Sequence, residues 1–215
     1  MYITRTISQQ ILEANKGFKV ILLTGPRQIG KTTLLENLQK PSRSYISLDT
    51  LDIRLGAKED PAGFIDRLRL PVLINEVQYA PELFSYIKMI VDKEKRKRGL
   101  FWMTGSQQFS MMKDVSESLA GRVAILTMQG ISLAAEEGRP STPPFIPTLD
   151  VLKHRQKIAR TLSSKDIFFK IWRGSYPDVV TQKGKNWQRF YESYVSTYVE
   201  RDARDYLDLG SDLGS

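Results

Sequence analysis

The sequence predicts an α/β protein: a parallel sheet of about five strands with helices on both faces, followed by a small helical domain. Three observations lead there. Five short, nearly continuous apolar runs alternate with segments of helical periodicity, the pattern of strands buried on both faces. The first run leads into a glycine-rich turn that opens a helix, as a parallel βα unit requires. The last third of the chain keeps only the three- to four-residue apolar spacing of helices.

Taken in order, an amphipathic segment from Ile7 to Ala14 precedes the first strand, Val20-Ile21-Leu22-Leu23. The turn Gly25-Pro26-Arg27-Gln28-Ile29-Gly30-Lys31-Thr32 satisfies G-x-x-x-x-G-K-[ST], and Leu34, Leu35 and Leu38 give the following helix its apolar stripe. Further strands are expected at Ser44–Leu48, Pro71–Ile74, Leu100–Thr104 and Val123–Leu126. Leu83, Phe84, Ile87, Ile90 and Val91 recur as one helix face between the third and fourth strands, and Met112, Val115 and Leu119 as another between the fourth and fifth.

Four prolines between Glu136 and Thr148 mark a linker or exposed loop. The expected division is therefore a core over 1–135, a Pro-rich linker over 136–148, and a helical lid with the start of a further domain over 149–215. Helices are expected over Val151–Leu162, Ile167–Trp172 and Trp187–Leu209. The last carries a largely aromatic stripe of Trp187, Phe190, Tyr191, Tyr194, Val195 and Tyr198, which reads as core packing ahead of base stacking.

Composition narrows the chemistry. The 215 residues include no cysteine, which excludes disulfide or thiolate-zinc frameworks, and their one histidine, His154, lies in the polar stretch Lys153-His154-Arg155-Gln156-Lys157, which argues against His-based metal sites and a Ser/His/Asp triad. No apolar run reaches membrane-spanning length and no signal-peptide pattern opens the chain, so a cytoplasmic protein without a membrane partner is expected. The net charge of +8 admits a nucleic-acid partner. The densest basic run, Lys93 to Arg98, lacks interleaved aromatics and reads as a solvated helix end.

Lys, Thr, carboxylates and Arg remain to carry chemistry. In the glycine-rich turn, backbone N–H groups and the helix N-terminus would face phosphate oxygens. Lys31 would reach the β- and γ-phosphates of ATP, or the β-phosphate of ADP, and the Thr32 hydroxyl would ligate Mg²⁺. The run Val72-Leu73-Ile74-Asn75-Glu76 ends in two polar residues, and in P-loop ATPases a strand of this kind lies beside the phosphate-loop strand and supports the metal. Asn75 takes the metal-supporting slot with an amide, and Glu76 is placed to polarise a water attacking the γ-phosphate. Ser106 and Gln107 follow the fourth strand, where a small polar group would contact the γ-phosphate; helix capping is the other reading. Arg122 reads either as a phosphate contact, in cis or from a neighbouring subunit, or as a surface arginine.

The order Gly-Pro-Arg-Gln-Ile-Gly-Lys-Thr-Thr, Leu-Ile-Asn-Glu-Val-Gln, Thr-Gly-Ser-Gln-Gln-Phe, Ser-Leu-Ala-Gly-Arg, Arg-Gly-Ser-Tyr-Pro-Asp and Tyr-Val-Glu-Arg-Asp resembles AAA-type ATP-binding proteins of bacteria and archaea that carry a C-terminal domain of unknown function. The resemblance implies a Walker A loop from Gly25 to Thr33, a Walker B end at Asn75-Glu76, a sensor region at Ser106-Gln107, and Arg173 in a helical lid as a phosphate contact. Such proteins usually carry Asp at the position of Asn75 and run well beyond Asp202, so the resemblance also implies weakened hydrolysis and a truncated chain.

The expected function is a Mg-ATP-binding AAA-type ATPase that couples nucleotide binding and hydrolysis to conformational change. A nucleotide switch with little turnover, caused by Asn75, is the alternative. A P-loop kinase and a nucleic-acid-binding ATPase stand behind these, and self-association and a protein partner are left open.

Overall fold

The computed structural model describes residues 2–39, 43–106, 109–139, 146–158, 161–182 and 186–199. They form two compact units, one of Thr4–Gln129 and one of the described residues from Gly130 onward with Tyr2 and Ile3.

The first unit alternates helix and strand in the order α1 (Ser8–Gly17), β1 (Val20–Thr24), α2 (Lys31–Leu38), β2 (Ser44–Ser47), α3 (Leu51–Glu59), α4 (Pro61–Asp66), β3 (Val72–Asn75), α5 (Leu83–Lys93), β4 (Phe101–Thr104), α6 (Phe109–Leu119) and β5 (Val123–Thr127). All strand pairs are parallel and the spatial order is β2-β3-β4-β1-β5. One expectation is corrected here: β3 does not lie beside β1, because β4 pairs with both and separates them.

Alternation along each strand sends successive side chains to opposite faces. Val20, Leu22, Val72, Ile74, Phe101 and Met103 join a core completed by Phe64 and Ile65 of α4, Leu83, Phe84, Ile87 and Val91 of α5, and Val115 and Leu119 of α6. On the other face, Trp102 is buried and donates its indole N–H to Asn15 of α1 at 2.7 Å, while the Arg43 guanidinium lies 4.0 Å from its ring centre. Each fully buried Val, Ile or Leu contributes about 1.5–3 kcal/mol by leaving water, which is why these runs become interior strands.

The pairs Leu23↔Thr104, Thr24↔Thr127 and Ser47↔Asn75 align the C-terminal ends of the strands. Every strand closes its apolar run with a hydroxyl or amide residue: Thr24, Ser47, Asn75, Thr104 and Thr127. The sheet is dry through its middle and polar along one edge.

The second unit is helical: α7 (Leu133–Glu136), α8 (Leu149–Ile158), α9 (Ser164–Arg173), α10 (Pro177–Thr181) and α11 (Trp187–Tyr194), followed by a π-helical turn, Val195–Val199. Ser132, Ser163 and Asn186 cap α7, α9 and α11 with side-chain oxygens, satisfying first-turn N–H groups. The aromatic stripe of α11 packs inside its own unit. Tyr176 stands 5.5 Å from Phe190, 5.9 Å from Tyr191 and 5.0 Å from Tyr194, measured between ring centres. The α-helix there stops at Tyr194, and the remainder of the expected Trp187–Leu209 helix beyond 199 lies outside the described residues.

Candidate functional site

The site builds from the polar edge of the sheet. After Thr24 the chain turns through Gly25 at φ 142°, where a Cβ would fall 2.5 Å from the Met128 carbonyl oxygen. Only glycine fits. Gln28 follows in the left-handed region, and Gly30, also left-handed, leads into α2 with no side chain capping the helix. The first N–H groups of α2 therefore point into the turn without a side-chain acceptor, the arrangement that binds anions. Ile29 is buried, and its carbonyl accepts from Arg5 at 3.3 Å. Arg5 also reaches the Gln129 carbonyl at 2.6 Å, bracing the loop against the chain after β5. That brace lay outside any motif. Thr33 is exposed on α2.

Lys31 is almost fully buried, and its ammonium donates to the carbonyls of Gly25 at 3.0 Å and Pro26 at 2.9 Å. Burial lowers its pKa below the ordinary lysine value; the Glu76 carboxylate opposes that shift and Arg27 adds to it. The ammonium is thus poised among carbonyl oxygens in a partly dehydrated loop, where its attraction for phosphate exceeds that of a surface lysine.

Thr32 donates its hydroxyl hydrogen to Asn75 Oδ1 at 2.5 Å. Thr104, buried at the end of β4, donates to the same oxygen at 2.8 Å and accepts the Glu76 backbone N–H at 3.2 Å. The amide nitrogen of Asn75 donates to Ser47 Oγ at 3.0 Å and Asp49 Oδ2 at 3.2 Å. One continuous network therefore joins the ends of β2, β3 and β4 to α2. Asn75 Oδ1 has both acceptor positions filled by hydroxyls, so in this geometry it orients Thr32.

Glu76 adopts φ 57°, ψ 49°, a left-handed conformation uncommon for a residue with a Cβ. Its carboxylate accepts from the Gln78 side-chain amide. Ser106 is buried just past β4, and its hydroxyl has no hydrogen-bond partner among the described residues. Gln107 lies outside the described residues.

The expectation of a cis phosphate contact from Arg122 is corrected. Val20 pairs with Val123, which puts Arg122 at the N-terminal edge of the sheet, a full strand away from the glycine-rich loop. There its guanidinium holds Asp92 of α5 through two hydrogen bonds, at 2.5 and 3.0 Å. Arg173 is also engaged locally: its guanidinium donates to Glu136 at 2.8 and 3.2 Å, and Lys170 donates to the same carboxylate at 2.7 Å. Burial raises the Glu136 pKa, but these hydrogen bonds outweigh it and hold the group below the ordinary glutamate range.

Among the described residues no cluster of three or more His, Asp or Glu could hold a metal ion. Mg²⁺ does not require one, since it keeps several waters and takes phosphate oxygens plus one or two protein ligands. The donor set fits that habit. Because Thr32 gives its proton to Asn75, its oxygen lone pairs are left for a cation, and the buried unpartnered Ser106 hydroxyl lies at the same edge.

The family model for the AAA domain matches residues 17–135, and the chain belongs to that family. This makes the first unit a P-loop NTPase domain of the nucleotide-binding class. Uncharacterized proteins of Mycobacterium bovis and Mycobacterium tuberculosis are each 34% identical over 116 residues, covering 53% of this chain and 26% of theirs. The chain thus matches about a quarter of the length of these relatives. An unliganded sugar kinase from Janibacter sp. aligns at a TM-score of 0.31 and 13% identity, over 69% of this chain and 82% of that one. A likeness that low bears on neither fold nor function. No helix among the described residues is long and apolar enough to cross a membrane.

Proposed function

We propose that the Thr4–Gln129 unit binds ATP or ADP with Mg²⁺ and hydrolyses ATP slowly, coupling the nucleotide state to conformational change. One observation carries this reading: the hydrogen-bonded chain from Thr32 through Asn75 and Thr104 to the Glu76 backbone, at the same sheet edge as the Lys31 ammonium. The Gly25–Thr33 loop would wrap the phosphates, Lys31 would neutralise the β- and γ-phosphates, and Thr32 would hold the cation. Bound Mg²⁺ would offset negative charge on the β- and γ-phosphate oxygens. Glu76 would accept a proton from the water that attacks the γ-phosphorus as the bond to the β,γ-bridging oxygen breaks, giving ADP and phosphate. Ser106 would donate to a γ-phosphate oxygen, which gives its orphaned hydroxyl a partner.

Nucleotide titration and phosphate release, measured on the wild type, Lys31→Ala and Glu76→Gln, test the assignment. Lys31→Ala should lose most nucleotide affinity; Glu76→Gln should keep affinity and lose turnover. Unchanged affinity in a folded Lys31→Ala variant would overturn the site. A second reading, a nucleotide switch with negligible turnover, is favoured by one feature: the Asn75 carbonyl is neutral and already taken by two hydroxyls. Tight binding with no phosphate release by the wild type would select it.

A further inference from the structure

The strand end that usually supplies a carboxylate to the magnesium side of such a site here supplies an amide, yet a carboxylate stands one hydrogen bond away. Asp49, exposed just past the end of β2, accepts from Asn75 Nδ2 at 3.2 Å. Asn75 in turn presents Oδ1 to Thr32 at 2.5 Å. We propose that Asp49 is the positioning residue for the magnesium side of the nucleotide site, supplying through the Asn75 amide the negative charge that position 75 lacks. This rests on the nucleotide reading above.

An asparagine amide has two faces of nearly equal shape, and only its partners decide which way it points. At neutral pH an ionised carboxylate is an acceptor with no hydrogen to give. Asp49 therefore compels Nδ2 toward β2 and leaves Oδ1 facing Thr32 and Thr104. The opposite orientation would set the carbonyl oxygen against the carboxylate and two NH₂ hydrogens against hydroxyls. With the amide so fixed, Thr32 must spend its proton on Asn75, and its lone pairs are kept for a cation. The carboxylate also polarises the amide it accepts from, which deepens the negative charge on Oδ1. The β2–β3 register, with Ser47 opposite Asn75, brings the residue two past Ser47 into reach.

This arrangement predicts opposite effects with and without the cation. Near a metal-bound triphosphate the Asp49 charge is attractive; beside the bare phosphates it is repulsive. The test is a titration of the full chain with the non-hydrolysable analogue β,γ-imido-ATP, once with Mg²⁺ and once with EDTA. For Asp49→Asn the expected result is a loss of about tenfold or more in magnesium-supported affinity, with EDTA affinity equal to or tighter than wild type. The paired variant Asp49→Asn/Asn75→Asp exchanges acceptor and donor across the same contact and should recover the magnesium-supported gain. Asp49→Asn with an intact magnesium gain would overturn the proposal. Equal weakening in both arms would also overturn it, since that marks a structural residue. A wild type that binds no nucleotide in either arm would fail the underlying reading, and the proposal would fall with it.

Discussion

Thr104 hands its hydroxyl hydrogen to the side-chain oxygen of Asn75 across 2.8 Å, from the strand that separates the phosphate loop's strand from Asn75's own. Because the same hydroxyl accepts the Glu76 N–H, one side chain fixes both polar residues at the end of β3. Thr104→Val keeps the shape and removes both bonds. It should cost about 1–3 kcal/mol of stability through the groups it leaves unpaired in the interior, and lower phosphate release more than nucleotide affinity. Chemical denaturation and phosphate-release rates check this; an unchanged denaturation midpoint would show that water replaces the hydroxyl.

Asn75→Asp places a carboxylate where the amide now meets Asp49 Oδ2. Two carboxylates at that spacing cannot both ionise freely. The variant should melt below wild type in EDTA and gain more from Mg-ATP than wild type does. Thermal melts in the two buffers decide the matter, and identical melting in EDTA would mean that the two carboxylates do not face each other.

Arg122→Ala removes the ion pair with Asp92 at the far edge of the sheet. A small fall in melting temperature is expected, with nucleotide affinity at wild-type level in dilute protein. A marked loss of affinity under those conditions would contradict the placement of Arg122 away from the loop.

Glu136 holds Lys170 and Arg173, and its folded pKa lies below the ordinary value of 4.5. The sign follows from linkage. A depressed carboxylate pKa stabilises the fold above the unfolded value, and that contribution is lost as pH falls through the lower, folded value. Glu136→Gln should therefore melt lower than wild type near neutrality, with the gap narrowing below pH 4.5. Melting curves across this range that stay a constant distance apart would exclude the linkage.

The elements most legible in the sequence are those whose signals are local. The run Val20–Leu23 with Gly25, Gly30 and Lys31 announces its own strand, turn and helix, and β3, β4 and β5 follow from their apolar runs. Helix α3 is not legible because its apolar residues do not report burial: Leu51 and Leu55 are exposed, and Ala57 is its one buried residue, while α4, whose Phe64 and Ile65 are buried, is six residues long and too short to show a helical period. Asp49 and Ser47 could not be tied to Asn75 beforehand, since the tie is set by pairing between β2 and β3 and by no spacing along the chain. The insertion of β4 between β1 and β3 hid Thr104 in the same way. A signal was nonetheless present: each apolar strand run closes in a small polar residue, and those closures converge on one edge.

Glu76 sits where a residue bearing a Cβ is uncomfortable by about 1–2 kcal/mol. Glycine would relieve that discomfort in a single substitution, and asparagine would ease it. A calmer but chemically blank protein therefore lies one residue away from this one. Under the proposed reading, the difference between the two is what the chain gives up in backbone ease to keep a carboxylate within reach of water and phosphate.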